Sequence, residues 1–165
     1  MDLPQKPEES EAQKHWIGEV DKLKFFLENQ LNTEISNESL IDAIKQGNKE
    51  RGLLKEIHQL RRMHPVPIMG LDLAALSTSM SYSIDREDYI RKLESVLEEL
   101  KFRVHNKIYA CSPEQPRILW TGLGNSLGCD KVLKLVEESG GVIVCQEGCG
   151  GVTRLDDQIG HLWKR

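Results

Sequence analysis

The residues with the most chemistry in this 165-residue sequence are its four cysteines, Cys111, Cys129, Cys145 and Cys149. Cys145 and Cys149 stand in a C-x-x-x-C arrangement, CQEGCGG, directly after the apolar run Val142, Ile143 and Val144. A cysteine closing a buried strand, with glycines following, suits an iron–sulfur cluster. Thiolate ligands gain from backbone N–H groups directed at sulfur, and glycine lets the backbone come close. On spacing alone, two buried structural cysteines are the default reading. Zinc needs four ligands, and no second C-x-x-C or histidine pair supplies them. Cys129 stands where a helix begins, a position that can activate a thiol but more often takes a small residue at a turn. No role is assigned to Cys111. His15 and His58 lie among charged residues and are expected to be solvated. There is no Ser-His-Asp pattern and no H-E-x-x-H.

A second constellation is the loop Gly122-Leu123-Gly124-Asn125-Ser126-Leu127-Gly128, between an apolar run and a helical segment. That context suits phosphate binding at a helix N-terminus. Its G-x-G-x-x-x-G spacing is one residue longer than the dinucleotide fingerprint, and no Lys-Ser or Lys-Thr follows, which excludes a P-loop. A nucleotide-binding module using this loop is therefore an alternative. A tight strand-to-helix turn needing small residues is the plainer account.

The elements that must position these residues fall into two regions. Residues 1–113 read as helical and charged, and residues 114–165 as the N-terminal part of an α/β domain. The proline-bearing CSPEQP joins them. The first helix spans about residues 10–29, with Trp16, Val20, Leu23 and Leu27 as its apolar face. A second begins after Ser36, its N-cap, and is ended by His64-Pro65, because the residue before a proline avoids the helical region. A short apolar helix follows near residues 68–76. Asp85 opens another, with Asp88 at its third position and Tyr89, Leu93, Val96, Leu97, Leu100 and Val104 on its buried side. Ile118 to Thr121 reads as a buried strand. Residues 130–139 read as an amphipathic helix with Val132, Leu135 and Val136 on one side, closed by Gly140-Gly141. Residues 142–145 read as a second buried strand, and residues 156–163 as the start of a further helix. Strand–loop–helix–strand builds parallel sheets, so the fold class is α/β: a helical insert followed by an incomplete Rossmann-like βαβ unit. Two strands alone make no stable sheet, and a parallel sheet needs both faces covered.

Hydrophobic residues make up 39% and charged residues 29%, as in globular rather than disordered chains. The net charge is -4, and no basic tract interleaves with aromatics, so nucleic acid is not an expected partner. No apolar run reaches the length of a membrane helix, and the first ten residues do not read as a signal peptide, so a cytoplasmic location with reduced cysteines is expected.

Several stretches together resemble the D-component family of 2-hydroxyacyl-CoA dehydratases, with its benzoyl-CoA reductase and double-cubane cluster relatives. They are Leu3-Pro4-Gln5, the helix bearing Trp16 and Leu23, ISNESLIDAIKQGNKERGLLKEIHQLR, PVPIMGLDL, and PRILWTG with the later GCDKVLKLVEESGGVIVCQEGCGG. The resemblance implies two α/β domains around a helical insert, with a 4Fe-4S or double-cubane cluster between them. It implies a second homologous subunit or a homodimer, and an ATP-dependent activator that injects a low-potential electron. The acyl-CoA members eliminate water from a 2-hydroxyacyl-CoA or reduce an aromatic ring. Double-cubane members resemble ATP-driven reductases of small molecules. Cys149 matches the family's E-x-C-x-G cysteine, and Cys145 in V-C-x-E matches the double-cubane branch. Leu123 departs from that branch, where T-G-C-P would place a cysteine. The resemblance also implies an internal segment of a longer subunit, with the cluster not completed by this chain alone. A non-catalytic interaction fragment is the remaining alternative.

Overall fold

A computed structural model describes residues 10–79, 82–122, 128 and 130–147. Its elements are α1 (Ser10–Leu31), α2 (Asn37–Leu60), α3 (Gly70–Ser79), α4 (Arg86–His105), β1 (Arg117–Thr121), α5 (Lys131–Glu138) and β2 (Val142–Glu147). The described chain is thus mostly helical, with one small parallel sheet, and belongs to the α/β class. It divides into two compact units, Met1–Ala43 and Ile44–Arg165.

In the first unit the expected face of α1 is only partly covered. Trp16 and Leu27 are half-buried, whereas Val20 and Leu23 are exposed. Glu19 takes the buried position among them, with its carboxylate 2.6 Å from Lys22 Nζ. Ser36 caps α2 as expected, its Oγ accepting from Ser39 N at 3.1 Å.

The second unit holds the core. Leu54 and Ile57 of α2, Leu73 of α3, and Tyr89, Leu93, Leu97 and Leu100 of α4 pack with Ile68 into one buried cluster. The Asp85 side chain accepts from Asp88 N, fixing the start of α4 where the sequence placed it. α2 ends at Leu60, four residues ahead of His64, because its last turn loosens into a chain of three-residue bonds. Arg61, Arg62 and Met63 donate in turn to the carbonyls of His58, Gln59 and Leu60. The segment that follows is anchored through Val66 O, which accepts from Ala110 N at 2.9 Å.

β1 and β2 pair in parallel with one irregularity. Arg117 faces Val142 and Ile118 faces Ile143, but Leu119 faces Cys145, so Val144 is left over as a bulge. The helix between the strands ends in a Schellman motif. Gly140 has φ +94°, Gly140 N donates to Glu137 O, and Gly141 N donates to Val136 O, both at 3.0 Å. Two expectations for this region are corrected. The second strand runs on through Gln146 and Glu147, because β1 continues to pair with it. Of the α5 stripe, Val132 and Leu135 lie outward, 51% and 60% exposed, and Val136 is half-buried, while Leu133 is fully buried. The helix is rotated because Glu137 is drawn inward to bind backbone amides.

Candidate functional site

Glu137 is the organising side chain of the strand pair. Its Oε1 accepts from Gly70 N at 2.8 Å and lies 3.4 Å from Ile143 N, and its Oε2 accepts from Leu71 N at 3.2 Å. Gly70 and Leu71 open α3, where unbonded N–H groups and the helix dipole favour a carboxylate. One residue on α5 thereby ties α3 to β2. Gln146 adds a second tie, its Nε2 donating to Gly70 O at 2.7 Å. The approach is close enough to require glycine. A Cβ at position 70 would lie 2.5 Å from Ile143 O and 2.6 Å from Ile143 Cβ.

Cys145 lies two residues before the end of β2, opposite Leu119, and its thiol is free and half-buried. It is therefore in the body of the strand rather than at its tip. Beyond it the two strands finish level, with Gly122 N donating to Glu147 O at 3.2 Å and Gly122 at φ +120°. In open α/β sheets this carboxyl edge is where ligands bind.

Arg61 is a residue that sequence reasoning passed over. Its side chain is among the largest fully buried ones, at 1% exposure. None of its guanidinium nitrogens, Nε, Nη1 or Nη2, has a hydrogen-bond partner among the described residues. Cys145 and Glu137 lie within electrostatic reach and favour its charge, whereas Arg117 opposes it. Burial is the larger effect and brings Arg61 down to about 10, which still leaves a cation at neutral pH. Arg117, the first residue of β1, donates to Met63 O at 2.8 Å and to Arg61 O at 3.1 Å, fixing the backbone that carries the buried charge. His58, expected to be solvated, is instead half-buried. Desolvation first, and then Arg61, hold it down to about 4.

Of the two cysteines expected as ligands, Cys145 lies on β2 with no other candidate ligand described around it, and Cys149 lies outside the described residues. Also outside them are Cys129, residues 123–127 of the glycine loop, and the helix expected over 156–163. Among the described residues no group of three or more His, Cys, Asp or Glu side chains could hold a metal ion. No helix among them is long and apolar enough to cross a membrane. At this edge of the sheet the described residues supply one half-buried thiol, Cys145, which by itself is too few ligands to hold a metal ion or cluster. The available signal for Arg61 was the Gln59-Leu60-Arg61 end of a family-like block, but an arginine there reads as solvated by default.

A parallel strand pair carrying a cysteine near its carboxyl edge, preceded by a helical region, is the local architecture of an α/β subunit. The chain belongs to the 2-hydroxyglutaryl-CoA dehydratase D-component family, whose profile matches residues 1–162. It is 28% identical over 159 residues to YjiM of Escherichia coli (strain K12), a protein provisionally named as a dehydratase subunit. It is also 28% identical over 97 residues to the beta subunit of (R)-2-hydroxyglutaryl-CoA dehydratase from Acidaminococcus fermentans. These alignments cover 96% and 59% of this chain, but 41% and 25% of the two relatives, so the chain spans less than half the length of either.

Proposed function

We propose that this chain is a cluster-bearing part of a dehydratase-like iron–sulfur subunit, nearest the double-cubane branch. Cys145 and Cys149 are two of its cluster ligands, and the cluster is not completed by this chain alone. In this reading residues 1–113 are the helical region between two α/β domains, and residues 114–165 begin a Rossmann-like domain whose first two strands are β1 and β2. The assembled protein works in the cytoplasm with a second homologous subunit or a second copy of itself. An ATP-dependent activator supplies the electron, and the substrate is an acyl-CoA or another small molecule. The cluster, when bound, supplies low-potential electron transfer. This chain's own residues ligate it and provide the charged, partly dehydrated wall beside it.

The observation that carries the reading is Cys145 itself: a free, half-buried thiol near the carboxyl edge of a parallel strand, in a chain of this family. The test is iron and acid-labile sulfide content after anaerobic purification of the assembled protein. Cys145→Ser and Cys149→Ser are each expected to lose the cluster's visible absorption and most of its iron. Full iron content in both variants would overturn the assignment.

A further inference from the structure

Two arginines from different helices converge beside Gly47, within the second unit. A Cβ built on that glycine would lie 3.5 Å from Arg51 Nη1, 3.7 Å from Arg51 Nη2 and 3.7 Å from Arg86 Nη1. The three atoms nearest to that point are thus guanidinium nitrogens, two from the middle of α2 and one from the first residue of α4. Gly18 and Gly52, also inside helices, have nothing within 4 Å of the same position. With no side chain at 47, nothing from that residue stands between the two cations.

The anionic side chains at hand balance one of the two charges. Glu50 is buried and lies 3.4 Å from Arg86 Nε. Glu87 accepts from Gln46 Nε2 at 3.4 Å. Arg51 finds a neutral acceptor, Asn48 Oδ1, for its Nη2, and its buried Nε has no partner among the described residues. One positive charge is therefore left unmatched where two like charges repel. Arg86 is 49% exposed and Arg51 half-buried, so an ion in solvent can reach the pair.

We propose that Arg51 and Arg86 form a seat for a phosphoryl group, which bridges the two guanidiniums beside Gly47 and supplies the missing negative charge. A guanidinium is planar, permanently charged and presents paired N–H donors that match two phosphate oxygens. Two such groups share the three oxygens of one phosphoryl group. A carboxylate has only two oxygens and a single charge, and leaves donors of one arginine unmet. The seat uses neither Cys145 nor the cluster assignment.

Isothermal titration calorimetry on the full chain, at constant ionic strength, tests this with inorganic phosphate, pyrophosphate and coenzyme A as probes. One probe or more is expected to bind at one site per chain, at least tenfold more weakly in Arg51→Gln and in Arg86→Gln. Arg91→Gln, which changes another exposed arginine of α4, is expected to bind as the wild type does. Equal binding of the two inorganic probes marks a free oxyanion. Tighter binding of coenzyme A marks a phosphoryl group carried by a larger molecule, and either supports the seat. Arg86→Gln also removes the partner of Glu50, so Arg51→Gln decides if that variant does not fold. The absence of binding by every probe at millimolar concentration overturns the proposal. So does unchanged affinity in Arg51→Gln, or an equal loss in Arg91→Gln, which would reveal only a diffuse field. The cluster assignment fails separately, by normal iron content in Cys145→Ser.

Discussion

Replacing Glu137 puts the organisation of the strand pair to a direct test. The carboxylate makes two well-formed charge-assisted bonds, to Gly70 N at 2.8 Å and Leu71 N at 3.2 Å, and a long contact to Ile143 N at 3.4 Å. A hydrogen bond to a charged acceptor is worth roughly 1.5–3 kcal/mol, and a contact near the outer distance limit adds little. Glu137→Ala orphans both short-bonded amides at the start of α3 and is expected to cost about 3–4 kcal/mol. Glu137→Gln can keep its oxygen at the Oε1 place, but it turns an NH₂ toward Leu71 N, donor against donor. Its cost is expected to be about half as large, roughly 1.5–2 kcal/mol. The assay is urea unfolding followed by circular dichroism at 222 nm, comparing midpoints at constant slope. If both variants unfold within about 0.5 kcal/mol of the wild type, Glu137 is not what joins α3 to β2, and the account of the rotated α5 fails with it.

Gly70→Ala forces a methyl to within 2.5 Å of Ile143 O, and thermal unfolding is expected to show a loss of about 2–3 kcal/mol. Gly18→Ala in α1, where nothing lies within 4 Å of the added carbon, is the control and is expected to gain about 0.5–1 kcal/mol. Lys107 closes α4 at φ +57°, so Lys107→Gly is expected to stabilise by about 0.5–1 kcal/mol in the same measurement. His58 titrates near 4 in the folded chain, against 6.5 for the free side chain. Between those values the unfolded chain binds the extra proton. The stability from neutral His58 is therefore complete above about pH 6.5 and is lost as pH falls toward 4. Allowing for its partial exposure, the swing is expected to be about 2 kcal/mol. His58→Leu should flatten the urea midpoint between pH 7 and 4, and parallel curves for the two proteins would contradict the burial argument.

Much of the fold was legible where a local rule and the tertiary packing agree. Ser36 and Asp85 cap helices because a side-chain oxygen within three residues meets a free amide, and that needs no distant partner. Gly140-Gly141 closes α5 for the same local reason. The parallel pair followed from two β-branched runs separated by a helix. What was missed depends on distant residues. Val132, Leu135 and Val136 have the spacing of a buried stripe, but Glu137 decides the rotation of α5 through amides almost seventy residues earlier in the chain. Arg61 and His58 lie in charged text and read as solvated. Their burial depends on residues distant in the chain, such as Arg117, which donates to Arg61 O, and periodicity along one helix cannot report it. Of the candidate site, the cysteines are readable by type and spacing, and the buried charge of Arg61 is not.

The unpaired Val144 gives β2 six residues over five rungs of the ladder, and both strands still finish level at Thr121 and Glu147. Length can therefore vary at this point without disturbing the pairs on either side. Across relatives, single-residue gaps should gather at 144, while the distance from Cys145 to the strand's end stays constant. Relatives that lack the surplus residue would then carry a straight ladder and still present their cysteine opposite the same neighbour.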